Sequence, residues 1–330
     1  MLYSVCIVSL NGARVLPACL RAVERTAGVE FETIVVNNGS TDDTPLLVAR
    51  DFPRVRLINA PRNLGFAGGN NLALRHARGD ILVLLNDDTE PAPDWLARID
   101  PLWSRHPQIG IVGFKLLFPG GTVQHAGGVI RANGLTNHLD YNEPDDSPAA
   151  APEACPTTTA AESKSAYRDG PTPIDCHYVT GAAMAFRRTL LDQIGWLDEG
   201  YFPIYFEEVD FCLQARRAGW RCVTHPDARV IHHESQQTGR RSSGYYKKYN
   251  RQRVRFVIKC FTTAQLRRAL KGEVRWLVRH RPWEFAWPLL YAYTINLLAL
   301  PATLRARRAA FRRLSRLRPD PVPDEFFEYV

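Results

Sequence analysis

The sequence lacks the cysteine patterns that mark a disulfide framework or a zinc site. Its 330 residues include seven cysteines, an odd number, and no two of them form a CxxC pair. Scattered cysteines of this kind are typical of reduced thiols, so we expect neither disulfide bonds nor structural zinc. The opening residues, MLYSVCIVSL, also have no basic segment before the apolar one. We therefore expect a buried strand there rather than a secretory leader.

Acidic residues are scarce in one part of the chain. Residues 240–318 contain 21 Lys and Arg but only 2 Asp and Glu, whereas residues 1–239 contain 21 basic and 28 acidic residues. Residues 319–330 add 4 acids, and the formal net charge is +8. Such a dense basic block favours a polyanionic partner, either lipid headgroups or nucleic acid. A solvated helical face is the alternative explanation.

Two common nucleotide-binding motifs are also missing, and we find no internal repeat. The run NLGFAGGNN (63–71) contains three glycines before a helical pattern, but it is neither GxGxxG after a strand nor a Walker A loop. This argues against a dinucleotide-binding fold and a P-loop NTPase. The glycines still permit close approach of the backbone to a phosphate or sugar. A turn with close helix packing would use them equally well.

Short apolar runs alternate with helical patterns through the first 90 residues. We predict strands at 3–10, 32–38, 55–60 and 81–88, and helices at 14–25, 43–50 and 66–77. This order predicts an α/β fold with a mainly parallel sheet and helices on its faces. Ligands bind such sheets at the carboxyl ends of the strands. The polar runs NNGSTDD (37–43) and NDD (86–88) lie at those ends.

The composition changes twice further along the chain. Residues 140–175 are rich in Pro, Ala, Thr and acids and have little periodicity, which predicts a mobile insertion or lid. After residue 239, aromatic and basic residues are mixed. We therefore predict a catalytic domain at 1–239 and a basic, helical C-terminal extension at 240–330.

The stretch 285–304 carries no charge over 20 residues, which is long enough to span a membrane. However, Pro288 and Pro301 interrupt it, and Arg-rich segments flank both ends. A single crossing would oppose the positive-inside tendency. We favour a helix that lies at the membrane interface with its Arg side chains on lipid phosphates. Packing against the catalytic domain and a true span are the alternatives.

Three acids cluster in the stretch YFPIYFEEVDFCLQARRAGW (201–220), namely Glu207, Glu208 and Asp210. The apolar residues that follow have helical spacing, and acids in the first turn of a helix are favoured by about 0.3–1 kcal/mol each. This structural explanation does not cover the four aromatic residues at the same end. Aromatic walls desolvate a carboxylate and raise its pKa, which suits a general base.

Possible metal ligands occur in two places. NDD (86–88) follows an apolar strand, and its carboxylates suit Mg²⁺ or Mn²⁺, although a polar turn would also explain it. RVIHHES (229–235) places His232 and His233 after a short apolar strand. A histidine pair near two acidic clusters is a better candidate for a metal ligand than a lone histidine.

Taken together, these residues resemble glycosyltransferase family 2, the inverting enzymes with the GT-A fold. The stretches that carry the resemblance are VCIVSLNG, VVNNGSTDDT, NLGFAGGNN, LLNDDTEP, VTGAAMAFRR, YFEEVDFCLQARRAGW and VIHH. The resemblance runs from about residue 3 to 260, and the glycine-containing run is similar to the rhamnosyltransferase-like branch. It implies a GT-A catalytic domain, followed here by the basic extension at the membrane surface.

The resemblance also implies a reaction. A sugar, with rhamnose as one candidate, would pass with inversion from a dTDP- or UDP-sugar to a glycan or lipid-linked acceptor, with the help of Mg²⁺ or Mn²⁺. We expect a cytoplasmic protein that is peripheral at the inner face of the cell membrane and contacts its anionic surface. We expect no nucleic-acid partner.

Individual roles follow from the same resemblance. Asp88 matches the metal-binding acid, and His232 matches a histidine that completes the metal site in several relatives. Glu208 matches the general base, and Glu207, one residue earlier, remains an alternative. The implied donor-binding residues are Ser9, Asn11, Asn37, Asn63, Gly65, Gly68, Asn70, Asn86 and Asp87. The implied acceptor-side residues are Gly181, Ala182, Tyr205 and Asp210.

Two of these positions depart from the family pattern. Asn37 stands where Asp is frequent, and its amide oxygen would accept from the N3–H of a pyrimidine. Asn86 replaces the first acid of the metal motif, which leaves one direct carboxylate ligand.

Three other functional classes compete with this interpretation. A nucleic-acid-binding protein would explain the basic block but would leave the acidic first 239 residues without a role. A nucleotidyltransferase of similar fold would need a Gly-rich, basic loop after the first strand, and SLNGARVLP is a poor version of one. The third alternative is a catalytically inactive family member.

Overall fold

The structure, a computed structural model, describes residues 1–145, 172–233, 243–280 and 283–317. The strands are β1 (Leu2–Ser9), β2 (Glu30–Asn37), β3 (Arg56–Asn59), β4 (Ile81–Asn86), β5 (Thr89–Pro91), β6 (Ile109–Leu117), β7 (Val123–His125), β8 (Gly128–Ile130), β9 (Thr136–His138), β10 (Ile174–Asp175), β11 (Ala183–Arg187) and β12 (Arg221–His232). The helices are α1 (Leu16–Glu24), α2 (Thr44–Asp51), α3 (Gly65–His76), α4 (Trp95–Arg105), α5 (Thr189–Ile194), α6 (Glu207–Arg217), α7 (Ser243–Cys260), α8 (Thr263–His280), α9 (Trp283–Leu298) and α10 (Leu300–Leu317). A short 3₁₀ turn occupies Glu199–Tyr201.

One mixed sheet organises the first 233 residues. Its order is β10-β12-β6-β11-β4-β1-β2-β3, with β5 paired to β12 and β7 paired to β6. Strands β4, β1, β2 and β3 are mutually parallel, as the alternation of strands and helices predicts. Strand β11 lies antiparallel between β4 and β6. The α/β fold predicted from the sequence is therefore confirmed.

The register brings several polar residues to one edge of the sheet. Ser9 pairs with Asn37 at the carboxyl ends of β1 and β2, and Asn86 ends β4 beside Val8. Because β11 runs the other way, its first residues lie at the same edge, and the Asn86 amide donates to the Ala182 carbonyl over 2.9 Å. The polar residues that the sequence analysis singles out therefore collect at the edge where a parallel sheet binds ligands.

Both faces of the sheet are covered by apolar packing. Strand β4 is buried over its first five residues because it is central in the sheet and has helices on both sides. One of the two large cores includes Phe206, just before α6, and Phe211 within it, and it continues into Phe256 and Cys260 of α7 and Phe261 just after it. The core thus extends across residue 240 into the C-terminal helices.

The C-terminal helices are held to one another by specific polar contacts. The Arg255 guanidinium donates to Thr303 Oγ1 over 3.0 Å, and Arg307 Nη1 donates to the carbonyl oxygens of Ile258 and Phe261 over 2.8 and 2.5 Å. The uncharged stretch 285–304 divides between α9 and α10. In the parts of the chain that the structure describes, no helix combines the length and the apolar character needed to cross a membrane.

The predicted lid at 140–175 falls mostly outside the described residues, which leave out 146–171. Ahead of it lies a hairpin, β8–β9, that the sequence did not predict. The cysteines at 6, 19, 176, 212, 222 and 260 are buried thiols.

Candidate active site

A cleft of about 470 Å³ lies at the carboxyl edge of the sheet. Its walls come from the ends of β1, β4 and β12, the starts of α3, β11 and α6, and one side of α7. Among its lining residues are eleven that the sequence analysis singles out: Asn63, Gly65, Asn86, Asp87, Asp88, Gly181, Ala182, Tyr205, Glu207, Glu208 and His232. Residues as much as 169 positions apart in the sequence therefore meet in one cavity.

Asp88 and His232 form a pair in this cleft. Asp88 Oδ1 lies 3.2 Å from His232 Nε2, and both side chains are largely buried. Pairing of β12 with β5, in register at His232 and Thr89, holds the two segments together. The neighbouring His233 instead contacts Glu90, with 2.7 Å between Nε2 and Oε1, at a more exposed position.

Gln124, from β7, sets the orientation of the His232 ring. Its Oε1 lies 2.5 Å from His232 Nδ1, and because an amide oxygen only accepts, Nδ1 carries the proton that is donated. Nε2 is thereby directed towards Asp88. A hydrogen bond of this kind on the remote ring nitrogen is the usual support of a metal-binding histidine.

A carboxylate and an imidazole nitrogen that converge in a buried cleft suit a divalent ion. No cluster of three or more His, Cys, Asp or Glu ligands is found in the described ranges. An ion held here by two side chains would keep coordination positions for phosphate oxygens and water, as Mg²⁺ usually does. The residues present therefore fit Mg²⁺ or Mn²⁺ that is shared with a diphosphate.

Asp87 points away from this pair and towards β1. Its Oδ2 accepts from Ser9 Oγ over 2.6 Å. Burial raises the pKa of Asp87 to about 6, with a further contribution from Asp88, although the Ser9 hydrogen bond opposes the shift. A Cβ at Gly12 would lie 2.0 Å from Ser9 Oγ and 2.8 Å from Asp87 Oδ2, so only glycine permits this approach. Ser9 thus contacts Asp87, which lines the cleft, and does not line the cleft itself.

The other predicted donor-side residues build the loops behind the cleft. Asn37 Oδ1 accepts from the Ser40 amide over 3.0 Å, and its Nδ2 donates to Asn59 Oδ1 over 2.9 Å. Asn11 Oδ1 accepts from the Thr41 amide over 2.8 Å. Gly68 and Asn70 lie within α3, where Asn70 donates to the Phe66 carbonyl. None of these side chains lines the described cleft.

The start of α3 meets the loop that precedes α6. Gly65 has a φ of +71°, and a Cβ there would lie 2.8 Å from both the Pro203 carbonyl oxygen and Phe202 Cδ2. The Phe66 amide donates to the same carbonyl over 2.8 Å. The first turn of α3 is therefore held against the loop that leads into the acids of α6.

Glu207 and Glu208 begin α6 at the floor of the cleft. Tyr205 and Phe206, just before them, have φ values of +89° and +73°, a left-handed conformation that costs such bulky residues energy. Glu207 is 2% exposed, and its Oε2 has no hydrogen-bond partner in the part of the chain that the structure describes. Glu208 is half-buried, facing Gly181.

The two glutamates differ in acidity. Burial raises the pKa of Glu207 well above its ordinary value, and the charge of Glu208 raises it further. Burial also raises the pKa of Glu208, to about 7, against the effect of the backbone N–H groups of Glu208 and Val209. Both carboxyls are therefore weaker acids than an exposed glutamate.

Asp210 lies below the cleft rather than on its acceptor side. It is 2% exposed, its Oδ2 contacts the Lys259 ammonium, and its Oδ1 accepts from Gln214 Nε2 over 2.9 Å. The structure thus gives Asp210 a role in holding α6 against α7.

One wall of the cleft comes from α7, which the sequence analysis left outside the catalytic domain. Tyr245, Lys248 and Tyr249 line it. The Tyr245 and Tyr249 rings stack 5.9 Å apart at 19°, and Tyr205 meets Tyr245 edge-on at 5.7 Å. The four-residue spacing of the two tyrosines in YYKKY was the available signal, since it places both on one helical face.

The raised pKa of Glu207 makes the stability of the fold depend on pH. A carboxyl with a raised pKa in the folded state stabilises it most at low pH, and this contribution is lost as pH rises. Glu207→Gln should therefore melt close to the wild type near pH 4 and at a higher temperature than the wild type at pH 8. Calorimetry across this range measures the difference. Glu24→Gln, at an exposed position, is the matched control. A difference in melting temperature between Glu207→Gln and the wild type that does not change with pH would contradict this account.

Comparisons with known proteins identify a family and several relatives of this chain. A family model described as glycosyl transferase family 2 matches residues 4–195, and one described as glycosyl transferase family group 2 matches residues 158–314. An N-acetylglucosaminyl-diphospho-decaprenol L-rhamnosyltransferase of Mycobacterium tuberculosis is 29% identical over 69% of this chain and 73% of its own length.

Two further relatives are much longer than this chain. Protein y4gI of Sinorhizobium fredii is 34% identical over 72% of the chain, and the O-antigen biosynthesis protein RfbC of Myxococcus xanthus is 31% identical over 62%. The match spans only 25% and 15% of these two relatives.

Solved structures share the fold. The mannosyltransferase PcManGT of Pyrobaculum calidifontis, solved with GDP-Man and Mn²⁺, aligns over 96% of this chain and 81% of its own, with a TM-score of 0.52 and 21% identity. GalNAc-T7, solved with UDP, GalNAc and Mn²⁺, aligns over 86% and 57%, with a TM-score of 0.58 and 16% identity. The expected GT-A fold is thereby confirmed. Because the first family model alone covers more than half of the sequence, and its rhamnosyltransferase relative and the fold agree with it, the chain belongs to glycosyl transferase family 2.

Proposed function

We propose that the chain transfers a sugar, with rhamnose as the first candidate, from a dTDP- or UDP-sugar to a lipid-linked or polysaccharide acceptor, with inversion of configuration. The observation that carries the proposal is the presence of two different pairs in one cleft. The Asp88–His232 pair suits a metal-bound diphosphate, and the Glu207–Glu208 pair suits removal of a proton from an alcohol. The relatives and neighbours, among them a rhamnosyltransferase and a complex with GDP-Man, support this class of reaction.

The donor would lie along the edge formed by β1, β4 and the start of α3. Asn63, Gly65 and Asn86 line this side of the cleft. The positive end of the α3 dipole favours negative charge, so the diphosphate would gain from lying near it. Asn37 and Asn11 would contribute by fixing the loop at Ser40 and Thr41 against which the nucleotide rests.

Asp88 Oδ1 and His232 Nε2 would hold Mg²⁺ or Mn²⁺, with Gln124 fixing the histidine ring. When bound, the ion would neutralise charge that develops on the departing nucleoside diphosphate. Asp87 and His233 would not join them as ligands, because Asp87 accepts a hydrogen bond from Ser9 and His233 contacts Glu90.

Glu208 would act as the general base. Its carboxylate takes the proton of the acceptor hydroxyl while that oxygen bonds to the anomeric carbon, and the bond to the donor phosphate breaks with its electron pair on the diphosphate. A pKa of about 7 suits this task, because the base is then both available and strong enough near neutral pH. Glu207, whose pKa burial raises well above its ordinary value, would donate a hydrogen bond to the acceptor.

The C-terminal helices would hold the protein against the inner face of an anionic membrane. Part of the basic block serves internal contacts, as with Arg253, Arg255 and Lys259. Helix α10 still presents exposed arginines at 305, 308, 312 and 316, and this spacing places all four on one face. Such residues near an anionic surface contribute about 1 kcal/mol each.

Removal of the metal ligand should abolish donor binding. A nucleotide sugar at about 100 times its Kd, with Mn²⁺, should stabilise the wild type by about 2.7 kcal/mol, which thermal unfolding against a panel of nucleotide sugars measures. Asp88→Asn should lose this stabilisation and keep its fold. Glu90→Gln, two residues away and outside the pair, is the control. Normal Mn²⁺-dependent protection in Asp88→Asn would exclude the assigned site.

Removal of the base should slow transfer without weakening the donor complex. Glu208→Gln keeps the shape of the side chain, and kcat should fall by about 10²-fold or more. In the wild type, kcat should rise with pH through about 7 as Glu208 loses its proton. Glu207→Gln should act mainly on the acceptor KM. A fully active Glu208→Gln together with an inactive Glu207→Gln would transfer the role to Glu207.

Loss of the α10 arginine stripe should weaken membrane binding. Replacement of Arg305, Arg308, Arg312 and Arg316 by Gln should lower sedimentation with vesicles that contain phosphatidylglycerol and leave the melting temperature near that of the wild type. The control replaces exposed arginines of the catalytic part at 21, 25 and 54. Equal binding by both variants, or wild-type binding that added salt does not reduce, would count against a role for the stripe.

A further inference from the structure

A second cavity lies outside the active cleft, between helices α7, α8 and α9. Its volume is about 480 Å³, within the range of small-molecule sites. Much of its wall is aliphatic and comes from all three helices, with Val254, Val257 and Ile258 from α7, Leu266 and Leu270 from α8, and Leu297 from α9. We refer to this cavity as the helical groove. Leu270 and Leu297 form part of its rim and are 61% and 70% exposed.

The polar side chains in the helical groove already have hydrogen-bond or ion-pair partners within the protein. Arg253 and Glu273 make a two-pronged ion pair over 2.6 and 2.8 Å. Asn296 Nδ2 donates to the carbonyl oxygens of residues 251 and 292, and Thr294 Oγ1 donates to the Leu290 carbonyl. A polar ligand would lose its hydrogen bonds to water here with little replacement, whereas a hydrocarbon would only gain contact.

The helical groove adjoins the active cleft along one face of α7. Tyr245 and Tyr249 line the cleft, and Arg253 and Val257 line the groove. These four residues follow one another at intervals of one helical turn, so the two cavities are about 6 Å apart along α7. The β8–β9 hairpin spans the same boundary, because Asn133 lines the groove and Thr136 lines the cleft.

The junction also offers positive charge and aromatic surface. Lys248 is exposed and lines the cleft on the same helix. Thr136 Oγ1 lies 3.0 Å from the Tyr249 hydroxyl, which holds the stacked tyrosines in place. The sugar and diphosphate of a lipid-linked molecule would meet Tyr245, Lys248 and Tyr249 in the cleft, and its hydrocarbon chain would meet the groove one turn further along α7.

We propose that the helical groove binds the hydrocarbon chain of an isoprenoid-diphosphate acceptor, whose sugar lies against Tyr245 and Tyr249 with its hydroxyl towards Glu208. This inference rests on the proposed sugar transfer and gives the acceptor a chemical class and a path. The chain of the acceptor enters from the exposed rim, at Leu270 of α8 and Leu297 of α9. Helix α9 also carries other exposed apolar residues. The diphosphate pairs with Lys248.

Binding of farnesyl diphosphate, compared with inorganic diphosphate, tests the groove without any donor or transfer reaction. Wild-type protein should bind farnesyl diphosphate about tenfold or more tightly than inorganic diphosphate by calorimetric titration. Leu270→Glu with Leu297→Glu, which charges the rim, should remove this preference. Leu290→Glu with Leu298→Glu is the matched control, because both leucines are 58% or more exposed and lie on α9 outside the groove. The control should keep the preference.

Three results would overturn the proposal: no preference in the wild type, an unchanged preference in the rim variant, or equal loss in the rim and control variants. If the rim variant loses binding to lipid vesicles but still prefers farnesyl diphosphate, the groove takes bilayer lipid instead. Transfer from a nucleotide sugar to a water-soluble glycoside reports on the proposed function separately. That activity should be the same in the rim variant and the wild type.

Discussion

The Lys259 ammonium is buried between the carboxylates of Asp198 and Asp210, and the geometry of the cleft depends on this contact. Nζ lies 2.7 Å from Asp198 Oδ2, and Arg255 reaches the same oxygen at 2.9 Å. Burial opposes ionisation of Asp198, but the two cations hold its pKa at about 2. Charges removed from water in this way are costly unless all remain together, since loss of one partner from a buried pair typically costs about 3–5 kcal/mol. Helix α7, the first turn of α6 and the 3₁₀ turn are therefore fixed relative to one another. This positions the Glu207–Glu208 pair opposite the wall that carries Tyr249.

The two side-chain pairs of the cleft, Asp88–His232 and Glu207–Glu208, lie in different electrostatic environments. Asp88 faces the imidazole nitrogen that Gln124 orients towards it, and two electron-pair donors side by side favour a bound cation. Glu207 and Glu208 lie in a desolvated corner, where burial raises both pKa values and the charge of Glu208 raises that of Glu207 further. The left-handed Tyr205 and Phe206 that introduce them add backbone strain at the same point. Stability given up at these residues is consistent with selection for a reactive site, and the surrounding core is large enough to retain the fold.

Local patterns in the sequence were sufficient for much of the fold and for part of the cleft. Apolar runs at strand spacing located β1, β2, β3 and β4, and the polar residues that follow them do meet at the predicted edge. What could not be predicted is non-local. Nothing near Asp210 indicates that its partner is Lys259, 49 residues later, and so the sequence analysis assigned Asp210 to the acceptor side. Gln124 is one polar residue in a short strand, and its role appears only when β7 and β12 are placed together. Tyr249 was missed because the change in composition at residue 239 suggested a domain boundary there, whereas the hydrophobic core continues past that residue.

The contribution of α7 to both the core and the cleft also has a consequence for biosynthesis. The donor edge is built from strands that leave the ribosome early, and α3 already follows β3 within the first 76 residues. The wall of tyrosines comes from residues 245–249, and its anchor at Lys259 follows them. The core that covers the sheet includes Phe256 and Phe261, so the sheet and the helices after residue 240 belong to one folding unit. The cleft is therefore complete only after residues 245–260 have been synthesised and have packed against the sheet.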